Sequence, residues 1–215
     1  MQDKSREKLE FFKFDLLENA TLVGDLDLPQ VYANTDDLPL RVIPFSEASA
    51  VPVEDRKNVW LHFFIDDYRF ERVWNRPRKY LPFFKSFGGI IGFNFSMFSN
   101  MPKATQIWNL YRNNILCHYF AQNGVNVIPT VNVAGQDSIR QFVATIAPES
   151  IVAVSALGAS KDVFVKMVKY IMQAINPPAV LYFGRKFKEL KEFEDRLIYF
   201  GTFDDKFDTS NKKEI

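Results

Sequence analysis

The chain has 215 residues, enough for one domain with an extension, and its 47% hydrophobic and 25% charged residues are ordinary for a globular protein. The formal net charge of +1 provides no overall basic field, so composition gives no argument for broad nucleic-acid binding. A single cysteine excludes an intramolecular disulfide and a cysteine-rich zinc site, and two histidines are too few for a histidine-rich metal centre.

The first part of the chain, residues 1–57, is predicted to be an N-terminal helix and extended arm that caps the main domain. Apolar residues at helical spacing predict a helix over residues 5–17. An acidic, proline-containing stretch then predicts turns, and residues 40–45 are predicted to form a short strand. The charged N-terminus does not read as a signal peptide, and no apolar run is long enough to span a membrane, so we expect a cytoplasmic location.

The core domain is predicted to be residues 58–201, where short apolar runs alternate with helical patterns, and a flexible tail is predicted for residues 202–215. The predicted strands are 59–65, 89–93, 125–131, 151–154, 179–183 and 197–200. The predicted helices are about 69–86, 102–123, 136–147, 160–175 and 185–195. Five βα units in series predict an α/β fold with a parallel sheet. The sheet is expected to be TIM-barrel-like, with a partial barrel included, and the alternative is an open doubly wound sheet.

A set of polar residues is predicted to follow the strand ends. Ligands of parallel sheets bind beyond the carboxyl ends of the strands, so these residues form the candidate site. An acid pair with Asn and Ser suits acid–base chemistry or a divalent metal held through oxygen ligands, and no other cofactor is expected. Helix capping by Asp67 and Ser99 is the competing interpretation. The set consists of the candidate catalytic residues Asp66, Asp67, Asn94 and Ser96, together with Asn132, Ser155 and Arg185.

Polar residues on the first two predicted helices are further binding candidates, namely Arg69, Glu71, Gln106 and Arg112. A buried arginine needs a carboxylate partner, and Asp66 or Glu71 could supply it for Arg112. An internal ion pair therefore competes with a role in ligand binding.

A local basic-aromatic patch is predicted on the first of these helices. Such a patch can hold single-stranded nucleic acid through phosphate contacts and stacking, although long basic side chains also cover ordinary helix surfaces. The basic members are Arg76, Arg78, Lys79 and Lys85, and the aromatic members are Trp74, Tyr80 and Phe84.

Motifs of several enzyme classes are absent. The sequence contains no GxxxxGK[ST], GxGxxG, GxSxG or HExxH, so nucleotide-binding loops, the esterase elbow and zinc proteases lose their main support. Ser160, within GASKD, is placed at a predicted helix start, where it could bind an anion or act as a plain N-cap.

Four segments resemble the DUF4417 family of phage and mobile-element proteins: IDDYRFERVW at 65–74, NFS at 94–96, the MP…QIWNLYRN run at 101–113, and GVNVIPTV at 124–131. The resemblance covers about residues 58–135. The resemblance implies Asp-Phe-Ser at the position where this chain has NFS, and a Trp near the position of Val133. Two family features at the predicted strand ends are therefore replaced in this chain. The family carries no established reaction, so the resemblance implies a phage or mobile-element setting.

Three functions follow as hypotheses, and the sequence leaves open whether the protein is an enzyme. The first is an accessory protein that binds a host or phage macromolecule in the host cytoplasm. The second is a hydrolase-like enzyme with Asp66 or Asp67 as base or metal ligand. The third is a nucleic-acid-binding replication or regulatory factor that uses the basic-aromatic patch.

Overall fold

A computed structural model of the protein describes residues 12–201, apart from the side chain of Asp137. The predicted helix at 5–17 lies mostly outside these residues, with a 3-10 turn at Phe14–Leu16, and the predicted tail lies wholly outside them. The strands are β1 Leu22–Val23, β2 Leu28–Pro29, β3 Val42–Pro44, β4 Trp60–His62, β5 Gly89–Ile91, β6 Val127–Ile128, β7 Val152–Ser155, β8 Val180–Phe183 and β9 Leu197–Phe200. The α-helices are α1 Glu71–Asn75, α2 Pro77–Lys85, α3 Lys103–Gln122, α4 Ile139–Val143 and α5 Lys161–Ala174. The predicted helix at 185–195 is a 3-10 helix, Lys188–Phe193.

The main sheet is parallel, and its strands lie side by side in chain order. Strands β3 to β6 pair in one group of four and β7 to β9 in one group of three. A parallel bridge between Thr130 and Ala153 joins the groups, because the Val131 N–H donates to Ala153 O and the Ala153 N–H donates to Pro129 O, each at 2.8 Å. The predicted α/β class with a parallel sheet is confirmed.

The sheet curls strongly on itself. In a flat sheet β4 and β8 would lie about 19 Å apart, four spacings of roughly 4.8 Å. The ring centroids of Phe64, just after β4, and Phe183 of β8 are only 4.8 Å apart. No pairing joins β3 to β9 within residues 12–201, so the strands form no closed barrel there. The sequential order also lacks the reversal that characterises the doubly wound alternative.

Two apolar layers explain the curl. Alternate residues point outward against the helices, such as Leu61, Ile90 and Val127. The intervening residues form a separate cluster on the concave face, including Ile91 and Leu181. Because strands covered on both faces need apolar residues at nearly every position, the strands read as continuous apolar runs in the sequence.

The ends of α3 and α5 carry residues that are typical of helix ends. Pro102 precedes α3, and Gly124, with φ of 81°, follows its C-cap. The Val163 N–H donates to Ser160 Oγ at 3.5 Å, so Ser160 caps α5. The proposed cap at Ser99 is wrong, because the N-cap of α3 is Pro102.

Residues 12–57 pack against the rest of the described chain and also supply the first strand of the parallel sheet. Leu28 is buried in the main core, and Asn114 of α3 donates to Pro29 O at 2.9 Å. Strand β3 pairs with β4, so the predicted strand at 40–45 extends the sheet. Among residues 12–201, no helix combines the length and apolarity needed to cross a bilayer.

Gly92, directly after β5, lies close to the residues that follow β6 and to α3. A Cβ at this position would lie 2.7 Å from the Thr130 backbone nitrogen and 2.9 Å from Cys117 Sγ. We expect Gly92→Ala to lower the free energy of unfolding by about 2 kcal/mol, because the backbone must shift to admit the methyl group. Urea unfolding followed by tryptophan fluorescence measures this loss.

Gly135→Ala is the matched control for this prediction. A Cβ at Gly135 would meet its nearest atom, Ser99 Cβ, at 3.8 Å, an ordinary contact distance. Equal unfolding midpoints for Gly92→Ala and Gly135→Ala would contradict the prediction.

Candidate functional site

A cleft of about 800 Å³ opens at the carboxyl ends of β5, β6 and β7, and we call it the rim cleft. Its walls are the segments that follow these strands, within residues 94–100, 131–135 and 155–163. Four of the polar residues predicted to follow the strand ends line it together: Asn94, Ser96, Asn132 and Ser155. Asp66, Asp67 and Arg185 are not among its lining residues.

Asp67 fixes the wall of the rim cleft instead of capping a helix. The Ser96 N–H donates to Asp67 Oδ1 and Oδ2 at 3.0 and 3.2 Å, and Ser96 Oγ donates to Oδ1 at 2.9 Å. The predicted capping role of Asp67 is therefore wrong, since its carboxylate is occupied by another loop. Asp66 forms an exposed pair with Arg69 at 3.3 Å, an arrangement that contributes little stability.

A buried polar chain continues from Ser96 into α3 and α1. Asn109 Nδ2 donates to Ser96 O at 2.6 Å, and Arg112 Nη2 donates to Asn109 Oδ1 at 2.7 Å. Arg112 Nη1 donates to both Glu71 carboxylate oxygens at 3.0–3.1 Å. The prediction of an internal ion pair is confirmed, with Glu71 as the partner.

Arg112 also stacks on the first wall segment of the cleft. Its guanidinium carbon lies 3.6 Å from the ring centroid of Phe95, and the Phe95 N–H donates to Asn113 Oδ1 at 2.8 Å. Burial lowers the pKa of Arg112, while the charges of Glu71 and Asp67 oppose this shift. Arg112 therefore positions the 94–97 segment from behind and does not line the rim cleft.

A second concavity of about 470 Å³, the side groove, lies beside the rim cleft between α3, α4 and α5. Gln106 lines it and donates through Nε2 to Met101 O at 2.9 Å and Phe98 O at 3.2 Å. This amide therefore holds the loop that leads into α3 and forms part of the groove wall.

The basic-aromatic patch is divided by the fold. The rings of Trp74 and Phe84 are buried in the main core, so only Tyr80 among the three aromatic residues is partly accessible for stacking. Arg78 is paired with Asp15, while Arg76 and Lys79 are exposed.

The remaining basic residue, Lys85, faces the opposite end of the sheet. It lines a separate cleft of about 680 Å³ that also contains Lys57 and Arg41. The four basic residues therefore do not share one cleft with aromatic rings.

The histidine in β4, His62, and the single cysteine, Cys117, are buried packing residues. Burial lowers the pKa of His62 to about 3 and raises the pKa of the Cys117 thiol to about 12. His62 Nδ1 accepts from the Phe64 N–H at 3.2 Å. Among the side chains that the structure describes, no three of His, Cys, Asp or Glu cluster in a way that could hold a metal ion.

The lining of the rim cleft is neutral. No ionisable side chain is among the described residues that line it, so its walls offer amides, hydroxyls and apolar groups. Two accessible apolar members, Phe98 and Leu157, were not predicted as site residues. Their sequence signal is weak: each is an apolar residue in the loop after a predicted strand, outside the apolar runs. Such a wall suits binding by hydrogen bonds and apolar contacts.

Comparisons with known proteins agree with the resemblance seen in the sequence. A family model described as Domain of unknown function (DUF4417) matches residues 20–204. The chain is 35% identical over 130 residues to Gene 1 protein of Mycobacterium phage L5, covering 58% of this chain and 57% of that protein. It is 32% identical over 130 residues to Gene 1 protein of Mycobacterium phage D29, covering 58% and 48%. The chain thus spans about half the length of these curated relatives. No solved structure matches it.

Proposed function

The chain belongs to the DUF4417 family, and from this premise we propose that it is a phage or mobile-element accessory protein that binds a segment of a host or phage polypeptide in the rim cleft, within the host cytoplasm. The observation that carries the proposal is the neutral wall of the cleft, where amides and hydroxyls surround accessible apolar side chains. Peptide groups present donors and acceptors in equal measure, and asparagine side chains match both.

Three asparagines support a polypeptide ligand in particular. Asn94, Asn100 and Asn132 line the cleft, and each side-chain amide can both donate and accept. The accessible side chains of Phe98 and Leu157 offer apolar contacts beside them. Accessible apolar groups rimmed by polar ones are a common feature of protein-binding surfaces.

The two other hypotheses receive less support from the geometry. A hydrolase using Asp67 would need a carboxylate that reaches the substrate, but Asp67 does not line the rim cleft and both of its oxygens accept from Ser96. Asp66 lies outside the cleft lining and pairs with Arg69. A nucleic-acid site on α2 would lack two of its three predicted stacking rings, because Trp74 and Phe84 are buried.

Photo-crosslinking tests the proposed function directly. Benzoylphenylalanine in place of Phe98, in the bacterium that carries the gene, is expected to give discrete adducts that protease removes, because this side chain lies on the cleft wall. The matched control is the same substitution at Val53, an exposed apolar residue outside the cleft lining.

The adducts also separate the competing functions. Protease-sensitive bands from position 98 that are absent from position 53 support the proposal. Identical patterns from both positions, or no adduct from position 98, would overturn it. Adducts that only nuclease removes would favour the nucleic-acid hypothesis instead. Unfolding midpoints equal to that of the unmodified protein establish that both variants are folded.

A further inference from the structure

The rim cleft and the side groove adjoin each other, and we call the two together the trough. They share four lining residues, Ser99, Ala134, Gly135 and Val163. A trough of this kind, with volumes of about 800 and 470 Å³, fits an extended polypeptide better than a compact small molecule.

The side groove differs from the rim cleft in carrying a charge. Lys103 is the single ionisable side chain among the described residues that line the whole trough. It makes no hydrogen bond or ion pair with a described residue, and no carboxylate is among the described residues that line the trough. The ammonium group of Lys103 therefore has no ion-pair partner among the described residues.

Two neighbouring features add to the positive potential. Lys103 is the first residue of α3, whose first turn contains no acidic residue, so the partial positive charge of the helix N-terminus is not neutralised. Lys166 of α5 donates to Gln136 Oε1 at 3.0 Å, which holds a second ammonium group at the edge of the groove.

Gln106 supplies an acceptor for the main chain of a ligand. Its side chain is almost fully buried, with the residue 8% exposed, and Nε2 is used by the carbonyls of Phe98 and Met101. Gln106 Oε1 accepts from no donor among residues 12–201 and is not sealed from solvent. A buried amide oxygen on a groove wall is expected to find a donor, and a peptide N–H supplies one.

We propose that the trough selects an acidic polypeptide segment. The segment lies extended across the rim cleft and the side groove, and an Asp or Glu side chain of the segment pairs with Lys103. A main-chain N–H nearby donates to Gln106 Oε1. This inference rests on the proposed function, since it specifies the chemistry of the polypeptide that the rim cleft binds.

A peptide array tests the charge preference. The probe is a set of ten-residue synthetic peptides in which each Asp- or Glu-containing member has a counterpart with Asn or Gln at the same position. The wild-type protein is expected to retain acidic members over their counterparts. Lys103→Gln should reduce this preference by about tenfold, because a hydrogen bond to a charged group is lost. Lys103→Glu should reverse it in favour of peptides with Lys or Arg.

Lys79→Gln is the matched control, because it removes the same charge from an exposed position on α2 outside the trough. An unchanged preference in Lys103→Gln, an equal loss in Lys79→Gln, or retention of no acidic peptide by the wild-type protein would overturn the inference. Crosslinking from position 98 is scored separately. Protein adducts there with no acidic preference on the array would leave the proposed function standing and remove this inference alone.

Discussion

Replacing Arg112 by methionine is expected to lower the free energy of unfolding by about 3 kcal/mol, because hydrogen bonds to a charged group and a buried ring contact are lost together. The Arg112 side chain is only 11% exposed and is held by Glu71 and Asn109. Methionine keeps the apolar stem but removes all three hydrogen bonds and the stacking on Phe95. Asn109 Oδ1, in a buried residue, then has no donor, which adds the cost of an unsatisfied polar group.

Arg69→Met is the matched control, since Arg69 also pairs with a carboxylate three residues away at 3.3 Å. Both side chains of this pair are exposed, so we expect a loss below about 1 kcal/mol. Urea unfolding of both variants measures the difference, and equal midpoints would contradict the structural role of Arg112.

A double-mutant cycle between Arg112→Met and Glu71→Gln isolates the ion pair from the other contacts of Arg112. We expect a coupling energy above about 1 kcal/mol, because Arg112 Nη1 contacts both carboxylate oxygens of Glu71 and the Arg112 side chain is buried. If the two losses simply added, the burial of Arg112 and its contact with Phe95 would account for its effect, and the pair with Glu71 would not.

The elements of the fold follow closely from the sequence because strands covered on both faces are continuous apolar runs. Residues 179–183, for example, contain β8, and residues 102–123 contain α3 with both of its ends marked by Pro102 and Gly124. These apolar runs do not predict how strongly the sheet curls. The curl depends on how the concave side chains, such as Ile91, Leu181 and Phe183, fill the space between distant strands, and no local pattern encodes that distance.

The candidate site was predicted in part for a related reason. The rule of strand ends brought Asn94, Ser96, Asn132 and Ser155 to one cleft, because parallel strands place their carboxyl ends at one edge. The same rule does not distinguish these four residues from Asp67, which also follows a strand but does not line the cleft. A carboxylate after a strand serves equally well to bind a ligand or to fasten the next loop, and the contact of Asp67 with Ser96 spans 29 residues.

The second large effect is a loss of stability at low pH that we expect from His62. Burial between the rings of Phe64 and Phe183 lowers the pKa of His62 in the folded protein to about 3, from an ordinary value of 6.5. Between these two values the unfolded chain binds a proton at this position and the folded protein does not. Acidification therefore favours unfolding. The folded protein has its full stability, with respect to His62, above pH 6.5 and loses it progressively as the pH falls towards 3.

His62→Asn measures this contribution. The asparagine oxygen can accept from the Phe64 N–H as Nδ1 does, but it does not titrate in this range. Between pH 7.5 and 4.5 the wild-type protein should lose about 2.5 kcal/mol more of its free energy of unfolding than the variant does, at about 1.4 kcal/mol per pH unit below 6.5. Urea unfolding at both pH values provides the comparison, and every other titrating group is common to the two proteins. Parallel pH profiles would mean that the imidazole is accessible to protons in the folded state, which would contradict the close packing of the concave face around β4 and β8.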